Sequence, residues 1–133
     1  MKYYIISLIS VLIMSCKSSH LSPKDSLVSI SKNPCLKYCE VYDLHIYSDG
    51  TFVYKGVLNV DKKGTYQGQI SKEALSEIKA LLEKIPQEHT PIKGRDIASI
   101  TIKYKSVNNT YKYNNIYLKD INSFAAEIVK SIP

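Results

Sequence analysis

At 133 residues, with 44% apolar side chains and a formal net charge of +6, the chain suits a single domain burying roughly two-thirds of its unfolded surface. Its 18 Lys and Arg are scattered among 12 Asp and Glu; with no dense basic cluster, nucleic acid is not an expected partner, and the excess reads as solvation with a mild attraction to anionic lipid. No Gly-rich phosphate loop, His-Glu-x-x-His or Gly-x-Ser-x-Gly occurs, so the commonest nucleotide-binding and hydrolase signatures are excluded.

Residues 1–15 read as an export signal. Lys2 supplies the positive end, and residues 5–14 are apolar except for Ser7 and Ser10. That run is too short to span a bilayer, which needs about 20 apolar residues. Ile13-Met14-Ser15-Cys16 matches a lipobox, which predicts cleavage before Cys16 and acylation of its thiol and amine. One acyl chain gives only marginal membrane binding, so stable anchoring uses several. The expected location is the cell envelope, lipid-anchored on the periplasmic side or at the outer membrane. Residues 16–26 are polar, with Ser and Pro, and read as the acylated cysteine and a flexible tether. Residues 27–133 form the expected single domain.

Leu27-Val28-Ser29-Ile30 is a short first strand. Cys35 and Cys39 follow, four positions apart. In a straight strand their Cα atoms would be about 13 Å apart, whereas a disulfide tolerates at most about 7 Å. A bond between them therefore needs a tight bend, which Pro34 supports. An oxidising envelope favours that disulfide. The alternatives are a thiol-redox pair, which ordinarily uses Cys-x-x-Cys at a helix N-terminus, and a zinc site, which needs about four ligands and has only His45 nearby. Strict alternation comes next: Tyr42, Leu44 and Ile46 point one way, and Val41, Asp43, His45 and Tyr47 the other. Asp49-Gly50 is a type I′ hairpin pair, with positive φ expected at both residues. Thr51-Phe52-Val53-Tyr54 returns as a strand, which Gly56 is expected to end or bulge.

This run resembles the domain of unknown function 6438 family, small domains found on bacterial lipoproteins. Two cysteines, a tyrosine, a strand, an Asp-Gly turn and a closing Val-x-Tyr-x-Gly make up the family pattern. Cys35, Cys39, Tyr42, Asp49, Gly50, Tyr54 and Gly56 match it. Gly64, a helix led by Ser71, and Asp96 also fall where the family has counterparts, and the resemblance covers about residues 29–132. Lys37 and Glu40 stand where the family has glycine and proline. No activity is known for the family, so the resemblance implies a fold and no reaction.

Further along, residues 57–60 extend the second hairpin strand, Asp61-Lys62-Lys63-Gly64 turns, and residues 65–70 form a third strand weakened by Gly68. Ser71 can cap a helix with Glu73 in its first turn. Ala74, Leu75, Ile78, Leu81, Leu82 and Ile85 recur at helical spacing until Pro86. Residues 87–95 are a loop. Ile100, Ile102 and Tyr104 mark a half-buried strand, Asn108-Asn109 a hairpin turn, and Thr110 the start of the returning strand. Leu118, Ile121, Ala125, Ile128 and Ile132, flanked by Phe124 and Val129, mark a final helix. The order predicts an α+β fold: an antiparallel sheet of about five to six strands with two helices packed on one face.

Few residues offer chemistry. His20 lies in the tether, His45 on a strand and His89 in the Glu88-His89-Thr90 loop cluster, none beside a nucleophile motif. No catalytic residue, metal site or cofactor is expected. Tyrosine is abundant, at 11, and Tyr42, Tyr54, Tyr111 and Tyr113 form a candidate binding face. Asp96 is a candidate ligand contact or loop cap. The expectation is a non-catalytic, lipid-anchored envelope module that binds or has a structural role. Its expected partners are the membrane, through Cys16, and an envelope protein; the oligomeric state is open. The alternatives are an inhibitor-like module docking on an envelope enzyme, and a thiol-redox enzyme using Cys35 and Cys39.

Overall fold

The computed structural model describes residues 21–86, 92 and 96–133. Six strands form one sheet: β1 (Val28–Lys32), β2 (Val41–Ile46), β3 (Thr51–Leu58), β4 (Gly64–Gln69), β5 (Ser99–Tyr104) and β6 (Val107–Lys112). Helix α1 (Lys72–Glu83) connects β4 to β5, and α2 (Lys119–Ser131) follows β6. The strand order is β4-β3-β2-β1-β5-β6, and every neighbouring pair is antiparallel. The fold is α+β, as the element order predicts.

Register turns the alternation into three cross-strand rows on the core face. Phe52, Ile46, Val28 and Tyr104 form the first; Tyr66, Tyr54, Leu44, Ile30 and Ile102 form the second. The third reads Gly64, Gly56, Tyr42, Lys32, Ile100 and Tyr111. Ile78 and Leu82 of α1 and Ile121, Phe124, Ala125 and Ile128 of α2 close over these rows. Each fully buried Ile or Leu is worth about 1.5–3 kcal/mol, so this face carries the stability.

Local chemistry places both helices. Ser71 Oγ accepts from the Ala74 amide at 3.1 Å, capping α1 as expected. At the start of α2, Asn122 Nδ2 donates to the Tyr113 carbonyl at 3.3 Å. Beyond its end, Lys62 Nζ donates to the Pro133 carbonyl at 2.8 Å. The helix therefore reaches across the sheet from the β6 side to the loop between β3 and β4. Its 13 residues span about 20 Å, enough for four strand spacings.

Two turns differ from the sequence expectation, and the irregularity expected near Gly56 falls one residue on. The β2–β3 connection has three residues: Gly50 N donates to the Tyr47 carbonyl at 3.0 Å and Tyr47 N to the Thr51 carbonyl at 2.8 Å. Of the Asp49-Gly50 pair only Gly50 has positive φ, at 85°. This is a type I turn closed by a left-handed glycine, and it holds because Asp49 Oδ1 accepts from the Thr51 amide at 2.9 Å. Strand β3 does not end at Gly56. Gly56 pairs with Tyr42 and Leu58 with Val41, leaving Val57 as the bulged residue. A Cβ on Gly56 would meet the Lys62 carbonyl oxygen at 1.9 Å, so close backbone approach requires the glycine. The β5–β6 turn lies at Lys105-Ser106, with Tyr104 opposite Val107, and not at Asn108-Asn109. Glu83 accepts from Tyr104 Oη at 3.0 Å and from Lys105 Nζ, and Lys105 has φ 52°. In this register Tyr111 faces Ile100 and is buried. A turn at Asn108-Asn109 would have set Tyr111 opposite Ser106, beyond the last core residue of β5.

Candidate binding site at the disulfide end of the sheet

Between β1 and β2 the chain makes the bend that the cysteine spacing demands. Cys35 and Cys39 are joined by a disulfide with their Cα atoms 5.8 Å apart. Both legs of the loop are tied down. Asn33 Nδ2 donates to Thr101 Oγ1 at 2.9 Å and to Ser99 Oγ at 3.1 Å. On the other leg, Asn59 Nδ2 donates to the Cys39 carbonyl at 2.9 Å. The loop is thereby anchored to β5 and to the end of β3, while Leu36 and Tyr38 at its tip are 74% and 85% exposed.

Lys32 lies beneath this loop. It takes the core-facing position after Val28 and Ile30, where alternation would place an apolar residue. The burial is met by charge and by rings. Its ammonium pairs with Glu40, lies 5.1 Å from the Tyr42 ring centroid and 4.7 Å from that of Tyr113, and donates to Tyr113 Oη at 3.4 Å. A cation held between two aromatic faces with a carboxylate partner is satisfied in place. Burial, then the neighbouring Tyr113, Glu40 and Tyr54, pushes the Tyr42 hydroxyl well above its ordinary pKa, so Tyr42 stays protonated.

Two pockets flank the Lys32–Glu40 pair. One, of about 330 Å³, opens between Tyr38, Cys39, Ser99 and Tyr113. The other, of about 160 Å³, runs under α2 against Tyr42 and Tyr54. Around them gather the large apolar side chains that remain exposed among the described residues: Leu36 and Tyr38 on the loop, Val57 and Leu58 at the end of β3, and Tyr113, Ile116 and Tyr117 between β6 and α2. All seven belong to this end of the sheet, where β1, β3 and β6 finish and β2 and β5 begin.

The tyrosine face expected from sequence is therefore corrected. Tyr42, Tyr54 and Tyr111 are at most 4% exposed and belong to the core; of the four, only Tyr113 is exposed, at 41%. The reason is register: Tyr42 and Tyr54 occupy the same alternation class as Leu44 and Phe52, and Tyr111 pairs with Ile100. Sequence reasoning missed Lys32, Leu36, Tyr38 and Ile116. A usable signal existed for Lys32, the one charged residue in the inward series Val28, Ile30, Lys32. None existed for the others, whose exposure depends on how the loops pack.

The uncovered face of the sheet is polar. Ser31 Oγ donates to Asp43 Oδ1 at 2.5 Å, and Thr101 and Thr110 share a 2.8 Å hydroxyl contact. His45 is directly opposite Ser29, beside a pocket of about 340 Å³ that also touches Lys103. Burial lowers the pKa of His45, partly opposed by Asp43, yet its Nδ1 has no hydrogen-bond partner. Asp43 is engaged by Ser31 instead, so no nucleophile–base–orienter relay is assembled here. Among the described residues no group of three or more His, Cys, Asp and Glu converges, and no helix is long and apolar enough to cross a membrane. Asp96 is exposed. Cys16, His20, Glu88, His89 and Thr90 lie outside the described residues.

The disulfide bend, the hairpin and the paired helices over an antiparallel sheet define a small α+β domain built around a cross-linked loop. The chain belongs to the family described as domain of unknown function (DUF6438), whose sequence profile matches residues 26–131. No curated protein matches the chain.

Proposed function

We propose that the protein is a lipid-anchored module of the cell envelope that binds an envelope protein through the disulfide end of its sheet, without catalysis of its own. One observation carries this reading: the exposed large apolar residues of the described chain gather at one end, around a loop cross-linked and tied on both legs. Exposed large apolar side chains grouped at one end of a domain are what an interaction site presents, and tyrosine gives large contact area at low entropic cost. The lipobox at Cys16 supports the anchor. Polarity also supports the reading: the chain enters β1 at Val28, opposite Ile46 and Tyr104, which is the other end of the sheet. A tether attached there leaves the apolar end facing away from the anchor.

The test uses membranes from cells making the full chain. The triple substitution Leu36→Ser, Tyr38→Ser, Tyr117→Ser is expected to keep the unfolding midpoint and to lose the larger native complex in which the wild type migrates. Intact mass of the membrane-borne chain is expected to show a chain that begins at Cys16 and carries acyl groups on it. A wild type that migrates as the free chain, or a triple variant that keeps its complex, contradicts the binding reading. An intact mass of the membrane-borne chain that lacks acyl groups on Cys16 contradicts the anchor.

A further inference from the structure

Basic residues that look scattered along the sequence meet at the end of the sheet where the tether enters. Ser29 is directly opposite His45 on β2 and Lys103 on β5, so the three form one cross-strand row on the face that the helices leave open. This row lines a pocket of about 340 Å³, within the size range of small-molecule sites. The chain arriving from the tether lines it too, with Pro23 and Lys24, and so does Lys105. Short-range bonds set the arriving turn: Ser22 Oγ accepts from the Lys24 amide at 3.4 Å, and Ser26 Oγ donates to the Pro23 carbonyl at 2.8 Å.

Three lysines and no carboxylate line the pocket. Lys105 is paired with Glu83. Lys24 and Lys103 are exposed, and their ammonium groups have no hydrogen-bond or ion-pair partner among the described residues. Carboxylates elsewhere at this end do not line the pocket: Asp49 accepts from Thr51 Oγ1 at 3.0 Å, and Asp25 acts on Tyr47. Asp43, one step along β2 from His45 on the same face, accepts from Ser31.

We propose that this pocket takes the phosphate of an anionic phospholipid headgroup between Lys24 and Lys103, so that the tether end of the domain sits on the membrane. The inference rests on the lipid anchor proposed above. Lys24 is eight positions after Cys16, so its Cα lies no more than about 29 Å from that of the acylated residue. Two unpaired ammonium groups are thereby held near the bilayer surface, where each lysine adds about fivefold to binding of anionic lipid. A zwitterionic headgroup brings a quaternary ammonium as well, for which the pocket has no carboxylate.

The experiment uses the full chain in neutral detergent micelles carrying rising fractions of phosphatidylglycerol or phosphatidylcholine, and follows the amide NMR signals of Ser26, Ser29 and His45. Phosphatidylglycerol is expected to give saturable shifts at all three, and phosphatidylcholine none that saturate. The pair Lys24→Gln, Lys103→Gln is expected to weaken phosphatidylglycerol binding about thirtyfold. The pair Lys37→Gln, Lys112→Gln, with the same loss of charge at the disulfide end, is expected to leave it unchanged. Equal affinity for phosphatidylcholine, an equal loss in the second pair, or saturation by inorganic phosphate at the same concentration overturns the proposal. Intact mass separates it from the anchor reading. Saturable shifts in a chain without acyl groups would contradict the anchor and keep the pocket; an acylated chain without such shifts would contradict the pocket and keep the anchor.

Discussion

Tyr42, Tyr54, Tyr104 and Tyr111 lie on the core face of the sheet at 0–8% exposure, whereas Tyr38, Tyr113 and Tyr117 at the disulfide end are 41–85% exposed. Residue type is the same; the first group sits in strands and the second in the connections between elements. A tyrosine in phase with Leu44 or Ile102 is carried under the helices, and its hydroxyl must be met there. Tyr104 finds Glu83, whereas Tyr54 finds nothing. Position outside a strand does not by itself mean exposure: Tyr47, just past β2, is buried. The core face is thus where the chain spends its apolar surface on stability, and the loop end is where it leaves apolar surface free.

That contrast is sharpest in a pair of leucines. Leu44 is fully buried and Leu36 is 74% exposed. Leu44→Ala is expected to cost about 2–5 kcal/mol in urea unfolding, and Leu36→Ala to stay within about 0.5 kcal/mol. Comparable losses would mean that the loop is part of the core. Next in size is the cross-link. The Cys35–Cys39 loop is short, so reducing it is expected to cost about 2 kcal/mol in the chain-entropy account, read as a lower unfolding midpoint with no change in the slope. No change at all would mean that the Asn33 and Asn59 ties hold the loop without the bond.

The smallest effect concerns the uncovered face. Burial holds the pKa of His45 below its ordinary value near 6.5, so the folded state prefers the neutral ring. Its contribution to stability is fully present above about pH 6.5 and is lost as pH falls through the folded pKa. Ser29 faces it across the strand pair, with Asp43 and Lys103 as the charged neighbours that act on it. His45→Gln is expected to flatten this part of the acid arm in unfolding midpoints measured from pH 7.5 to 5. An unchanged arm would place the slope in the carboxylates.

Much of the fold was legible. Alternation in residues 41–46 and 100–104, helical spacing after Ser71 and Leu118, and the Ser71 cap all report local periodicity that tertiary packing did not override. Turn positions were harder. The turn at Lys105-Ser106 lets Tyr111 pair with Ile100 and enter the core, and Asp49-Gly50 belongs to a longer turn in which Asp49 accepts from the Thr51 amide. The expected tyrosine face falls on buried residues because tyrosine is compatible with both core and surface. The alternation that groups Tyr42 with Leu44 already argued for burial. Lys32 was the hidden centre: a cation in an apolar row is intelligible only once Glu40, Tyr42 and Tyr113 are seen around it.

The central claim, that the disulfide end is the contact surface and the opposite end is not, is tested most directly by photo-crosslinking in living cells. A photoreactive phenylalanine analogue placed at Tyr38 or Tyr117 would be compared with one at Ser48, in the turn at the other end. The account predicts discrete heavier products from positions 38 and 117 and none from position 48. No product from either loop-end position, or the same products from all three, would contradict it.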